Sequence, residues 1–176
     1  FYTCELLYYE RERQGLYIAR ECAPLKLRTR FRADWRAAAV ASYTADLMTR
    51  LTETGGSDSQ LYTLIDATLD ELADNGTSPP LLFWFELKLA DIMGLAPQLT
   101  HCPVCRRRMP LEPLGSDGAG ARSALLFSCD RGGILCSSCA VAHEGTTLTV
   151  SPPSRAMLGR WQRAASPRAA RNTRCT

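Results

Sequence analysis

Apolar residues return every three or four positions between Asp34 and Leu51, at Val40, Tyr43, Leu47 and Leu51. That period predicts an amphipathic helix, with Asp34 placed to cap it. Gly55-Gly56 interrupts the pattern, and Ser57-Asp58-Ser59-Gln60 reads as a capping box for a second helix. Leu61, Leu64, Ile65, Leu69 and Leu72 mark one face of that helix, and Asn75-Gly76 closes it. Pro79-Pro80 then open a third helix that runs to Met93 and stops at Gly94. It is apolar nearly all round, which predicts the central helix of a small bundle. Glu86 and Lys88 are its exceptions. Two positions apart, they cannot pair on one face, so each is expected to meet a neighbouring helix.

The flanking segments follow a different rhythm. Leu6-Leu7-Tyr8-Tyr9 and Leu16-Tyr17-Ile18-Ala19 are rich in strand-forming residues, and Glu10 to Gly15 between them is polar and ends in glycine. Residues 4–22 therefore predict a β-hairpin ended by Pro24. Its tyrosines Tyr8, Tyr9 and Tyr17 are read as core, the alternative being a base-stacking platform. Lys26, Arg28, Arg30 and Arg32 fall on alternate positions, which in an extended chain would aim all four to one side. Farther on, Leu125 to Cys129 reads as a strand, and Ser154 is placed to cap a short helix through Met157, Leu158 and Trp161. The chain opens on Phe1-Tyr2-Thr3 and enters strand-like sequence almost at once, so a preceding segment is expected.

Two Cys-x-x-Cys pairs, Cys102–Cys105 and Cys136–Cys139, carry the chemistry. Each such turn sets two sulfurs on one tight loop, and two turns supply the four ligands of a tetrahedral structural zinc. Pro103 inside the first pair and Gly132-Gly133 before the second suit sharply bent backbone. Four thiolates leave no open coordination position, which points to a structural rather than a catalytic Zn2+. His101 and His143 flank the pairs and are read as neighbours of the site more than as ligands. Cys129, outside the spacing, is read as a small buried strand residue.

Charge changes the picture only through its placement. The 176 residues carry a formal net charge of +3. Residues 1–36 hold eight basic groups and five acids; residues 37–100 hold two and nine. The last stretch, 145–176, holds six basic groups and no acid, and arginine outnumbers lysine nineteen to two. Segregated arginines beside an acidic body point to a polyanion contact. The candidate contacts are Arg28, Arg30, Arg32 and Arg36, followed by Arg106, Arg107 and Arg108 after the first cysteine pair. No GxSxG, P-loop, GxGxxG or HExxH motif is present, and two histidines leave little material for a nucleophile–base pair. No enzyme is expected. No membrane helix or signal peptide is read from the chain, and its cysteine usage suits a reducing, cytoplasmic compartment.

The order of these parts resembles the bacterial RecO recombination-mediator family. The resemblance rests on Phe85-Glu86-Leu87-Lys88-Leu89, Met93 to Leu99, Cys102-Pro103-Val104-Cys105, and Phe127-Ser128 before Gly132-Gly133-Ile134-Leu135-Cys136-Ser137-Ser138-Cys139. It implies an α+β chain: the last strands of a truncated OB-fold, a small helical bundle and an inserted zinc-ribbon-like module. The expected boundaries are 1–25 for the OB-fold remnant, 26–100 for the helical domain, 101–144 for the zinc module and 145–165 for a returning helix. Residues 166–176 are expected to form a disordered basic tail. The resemblance also implies a non-catalytic DNA repair and recombination protein, nucleoid-associated in the cytoplasm. Such a protein would bind single- and double-stranded DNA and anneal complementary strands. With RecR it would assist RecA loading onto DNA covered by single-stranded-DNA-binding protein, whose C-terminal peptide would be a further partner. A zinc-ribbon adaptor without annealing activity is the alternative, and a thiol redox switch at the knuckles a third.

Overall fold

The computed structural model describes residues 1–10, 17–52, 58–109, 111 and 124–173. Most of the turn expected at 10–15, Ser57 of the expected capping box, and all but Leu111 of the glycine-rich loop at 111–122 lie outside these residues. The chain divides into two compact units, Phe1–Thr77 and Ser78–Thr176. The division falls within the stretch read from sequence as one helical domain.

In the first unit, strands β1 (Thr3–Glu10) and β2 (Tyr17–Lys26) pair antiparallel as a two-stranded sheet. Register shifts at Thr3/Cys4 and Leu7/Tyr8 mark irregular pairing. Pro24 does not end β2: it stands opposite Cys4, where a two-stranded ribbon tolerates a missing donor. The tyrosines are a correction to the sequence reading. Tyr8, Tyr9 and Tyr17 are all exposed, as are Leu6, Leu7 and Ile18 on the same strands. Tyr8 meets Tyr17 edge-on at 5.1 Å between ring centroids, and Arg20 donates to the Tyr9 hydroxyl at 2.5 Å.

The basic run after β2 is not extended. Thr29–Arg32 form a short 3-10 helix, so the alternation of charges does not place them on one side. Helix α1 (Trp35–Leu51) follows, with the Asp34 carboxylate accepting from the N–H groups of Arg36 and Ala37. Helix α2 (Ser59–Asn75) is capped by Asp58, whose side chain accepts from the N–H groups of Gln60 and Leu61. Gly76 ends it at φ 73°, a backbone conformation that glycine adopts without penalty. Helices α1 and α2 pack together; Ala37, Ala41, Leu61, Leu64, Leu69 and Leu72 are buried. Two buried hydroxyls also find partners along their own helices: Thr44 donates to Ala41 O and Thr68 to Leu64 O.

The second unit starts with α3 (Pro79–Ile92), capped by Ser78. Leu81, Trp84, Phe85, Leu87 and Leu89 are buried along it. Strand β3 (Leu125–Ser128) is the centre of a three-stranded sheet between β4 (Gly133–Ile134) and β5 (Thr147–Val150), antiparallel to both. A five-residue helix, α4 (Ser137–Val141), lies between β4 and β5 in sequence. Helix α5 (Pro152–Arg163) is capped by Ser151, which accepts from Ser154 N–H; the expected cap Ser154 is the donor. Residues 166–173, expected to be disordered, include helix α6 (Pro167–Arg171), whose Pro167 and Ala170 are buried.

Helices α5 and α6 both pack on α3. Trp84 Nε1 donates to Ala164 O at 2.9 Å, and Phe83 stacks on Trp161 at 5.1 Å. Lys88 donates to Gln162 O at 2.9 Å, so that lysine does meet a neighbouring helix. No helix among the described residues is long and apolar enough to cross a membrane.

Candidate metal centre and the basic residues

The two cysteine pairs are brought into register by a single bridge. Gln98, four residues before Cys102, pairs with Gly133, three before Cys136. Gln98 N–H donates to Gly132 O at 2.8 Å, and Ile134 N–H donates to Gln98 O at 3.0 Å. A Cβ on Gly133 would come within 2.7 Å of Gln98 Cβ and 2.9 Å of Gln98 O. Only glycine lets the backbones approach this closely.

The first pair sits on a closed loop. Met109 N–H donates to Thr100 O at 2.7 Å, Cys102 N–H to Arg107 O at 2.9 Å, and Arg106 N–H to Cys102 O at 2.9 Å. Arg106 takes φ 60°, the left-handed conformation needed to turn the chain just past Cys105. Arg155 of α5 holds both ends of this loop, donating Nε to Leu99 O at 2.7 Å and Nη2 to Met109 O. The second pair is built differently. Cys136 precedes α4, Ala140 N–H donates to Cys136 O at 2.9 Å, and Cys139 lies within the helix.

As a result the Cys102, Cys105, Cys136 and Cys139 sulfurs all lie within 4.8 Å of one another. Cys105 and Cys136 are 3.6 Å apart. Four sulfurs at the usual zinc–sulfur bond length span about 3.8 Å between tetrahedral corners. The donor set fits a soft or borderline divalent ion. Leu135, Met109 and Ala140 pack round the buried Cys102 and Cys136.

Local electrostatics prepare the thiolate form unequally. Burial alone would push Cys102 up, but N–H groups of Cys105, Cys136 and Val104 point at its sulfur and bring it down to about 6. The N–H of Cys139 likewise lowers Cys136 against the opposing effect of burial. Cys139 is pushed up to about 12, first by its hydrogen bond with Cys136 and then by burial. Four thiols crowded into one pocket cannot all ionise without a cation to share.

Neither histidine joins the four. His101 is exposed and its Nδ1 lies 3.0 Å from Thr100 Oγ1. His143 Nε2 lies 2.9 Å from the buried Ser128 hydroxyl, which also accepts from Arg131 N–H. Cys129 is exposed, contrary to the sequence reading, because the chain turns immediately after β3.

The structure separates the candidate DNA-contact arginines. Arg28 is only 5 % exposed and binds Asp66, Asp70, Thr3 and the Phe1 carbonyl. Its guanidinium is engaged in holding the end of the hairpin against α2. Arg30 donates to Asp74 O at 2.8 Å and lies 3.5 Å from Asp34. Arg32 and Arg36 are exposed, each beside an aromatic ring; Arg106, Arg107 and Arg108 are exposed and follow Cys105 directly in the chain. The aspartates Asp66 and Asp70 were missed in sequence. Their four-residue spacing on the polar side of α2 was the available signal, but it did not say which basic residue would meet them.

A family model described as the C-terminal part of recombination protein O matches residues 32–172. The chain belongs to this family. Similar proteins are each named DNA repair protein RecO. The one from Alkaliphilus metalliredigens is 28% identical over 127 residues, which is 72% of this chain and 47% of that protein. The one from Desulforamulus reducens is 34% identical over 112 residues, 63% of this chain and 38% of that protein. The one from Syntrophus aciditrophicus is 25% identical over 163 residues, 91% of this chain and 59% of that protein. The chain spans about half the length of the curated relatives it matches. The matched stretch includes all four clustered cysteines.

Proposed function

We propose that the chain is a non-catalytic, DNA-binding recombination mediator. It binds single and double strands, anneals complementary ones, and works with RecR to assist RecA loading onto DNA covered by single-stranded-DNA-binding protein. The C-terminal peptide of that protein is a second protein partner. The observation that carries this reading is the family match over residues 32–172. In it Cys102, Cys105, Cys136 and Cys139 hold a structural Zn2+ that fixes the knuckles, and the chemistry the ion supplies is ligation alone. Arg32, Arg36, Arg106, Arg107 and Arg108 supply charge toward phosphate, with the arginines of the basic tail from Ser166 on adding non-specific attraction. The protein works at the nucleoid, in the cytoplasm.

An annealing assay tests this reading. Complementary oligonucleotides should pair faster with the chain present, and a coat of single-stranded-DNA-binding protein should not abolish the effect. Pairing at the uncatalysed rate would instead support an adaptor that docks through its metal module. The exposed apolar residues Val104, Leu148 and Val141, the last 91% exposed, favour that second reading.

A further inference from the structure

The first unit displays guanidinium groups over aromatic rings at its surface. Arg36 lies over the Trp35 ring at 4.9 Å from its centroid. Arg32 lies over the Tyr2 ring at 5.9 Å and donates to its hydroxyl at 2.7 Å. Trp35 is 70% exposed, an unusual state for the largest apolar side chain, and Tyr2 is exposed as well. A guanidinium covers one face of a ring, and at this exposure the rest of the Trp35 indole remains open to solvent.

Burial does not explain this tryptophan. It is the first residue of α1, where the Asp34 cap needs only its neighbours' N–H groups. The two other tryptophans, Trp84 and Trp161, are both buried. The nearby negative charge is already engaged: Asp34 accepts from Arg36 N–H and Ala37 N–H and lies 3.5 Å from Arg30. Arg28 and Arg30 reach groups of α2, whereas Arg32 and Arg36 lie exposed beside their rings. Three peptide units separate Arg32 from Trp35, so their Cα atoms lie no more than about 11 Å apart. A few nucleotides span that distance.

We propose that Trp35 is a base-stacking residue for single-stranded DNA, with Arg36 and Arg32 beside it to hold the phosphates and Tyr2 as a second platform. The chemistry selects the occupant. An open indole beside guanidinium groups offers a π-face and positive charge together, which suits an unpaired base on a polyanionic backbone. Duplex DNA keeps its base faces stacked and offers none to the ring. The inference rests on the DNA-binding reading above and names the residues and the strand form for it.

The buried state of Trp84 and Trp161 makes the test selective, because an added strand reaches only Trp35. The metal-loaded chain is titrated with oligothymidylate while tryptophan emission is followed, and binding is measured separately by anisotropy of an end-labelled strand. Emission should be quenched on binding. Trp35→Leu should lose the quenching and bind about tenfold more weakly at an unchanged salt slope, within the range for losing one stacked base. Trp35→Phe should retain most of the affinity. Arg36→Gln should lower the slope of log affinity against log salt by about 0.7. The inference is overturned if the labelled strand binds with emission unchanged, if Trp35→Leu binds as well as the unaltered chain, or if a duplex of equal length competes equally. Those results leave DNA binding itself standing. No anisotropy change at any concentration would overturn both readings together.

Discussion

The Arg28 guanidinium lies 2.5 Å from an Asp66 carboxylate oxygen, and the same nitrogen is 2.6 Å from Asp70. Lys26 reaches the same two carboxylates at 2.6 Å and 2.8 Å. The end of β2 is thereby fastened to the middle of α2 by two cations and two anions. Removing one member of a buried pair leaves its partner uncompensated, so Arg28→Met should cost about 3 kcal/mol in denaturant unfolding. Lys26→Met, at an exposed position, should cost under about 1 kcal/mol.

Acid should loosen the same joint. Partial burial would raise the Asp66 carboxyl, but hydrogen bonds from Lys26, Thr3 and Arg28 overcome it and hold it at about 2, against 3.8 for a free aspartate. A carboxyl held below its unfolded value stabilises the fold fully above about pH 4, and that stabilisation is lost as pH falls through about 2. The amount at neutral pH is about 2 kcal/mol. Asp66→Asn should therefore lower stability at pH 7 and flatten its fall between pH 4 and pH 2, as read by urea unfolding at each pH. An equally steep acid fall in the variant would assign it to other carboxylates.

Much of this architecture was legible in the residues, for a physical reason. The helical periods at Leu61, Leu64, Leu69 and Leu72 and the cysteine spacings are local rules, and they hold wherever the local rule decides the structure. The misplaced features depend on what lies across the fold. Alternation in Lys26 to Arg32 fits an extended chain equally well, and only Asp66, Asp70 and the Asp74 carbonyl draw it into a 3-10 turn. Tyr8, Tyr9 and Tyr17 have strand propensity, which says nothing of whether a layer covers them. Helix α6 escaped notice because its composition is that of a disordered tail, while its order comes from Pro167 and Ala170 burying beside α3. The partners of Arg155 are main-chain carbonyls, which leave no trace in side-chain pattern.

Gly133 is expected to tolerate no side chain. Its absent Cβ would stand 2.7 Å from Gln98 Cβ, and the Gln98 carbonyl behind it belongs to the bridge that aligns the two knuckles. Gly133→Ala should destabilise the protein by about 1–3 kcal/mol, the usual cost of overpacking. Metal content after purification should fall with it, because the same displacement spreads the four sulfurs. Gly94→Ala is a useful contrast: a Cβ there meets nothing within 4 Å, and its cost should come from the positive φ of 73° alone.

Arg106 poses the opposite case. Its φ of 60° is one that a side chain resists and glycine does not, and its N–H closes the first knuckle on Cys102 O. Arg106→Gly should raise stability by about 0.5–1 kcal/mol, the relief of left-handed strain less the entropy of a freer unfolded chain. It also removes one exposed positive charge. If Arg106 touches phosphate, the same variant should bind DNA more weakly with a salt slope reduced by about 0.7–0.9. A more stable protein with unchanged DNA binding would leave the residue a purely conformational role.

The knuckles should depend on metal more than the helices do. The loop from Thr100 to Met109 keeps its shape through a few main-chain bonds, and the second pair rests on a five-residue helix, too short to persist unaided. The hairpin and helices of Phe1–Thr77 hold none of the four ligands. Stripping the ion with a chelator should therefore abolish amide protection at Cys102, Arg106 and Ala140, while leaving α1 and α2 protected in hydrogen exchange. One equivalent of Zn2+ should restore it, with release of protons as thiols become thiolates. Cys136→Ser should behave as the stripped protein whatever the zinc concentration up to several equivalents. If protection at those three amides survives chelation unchanged, the packing of Leu135, Met109 and Ala140 holds the knuckles without an ion, and the clasp role fails.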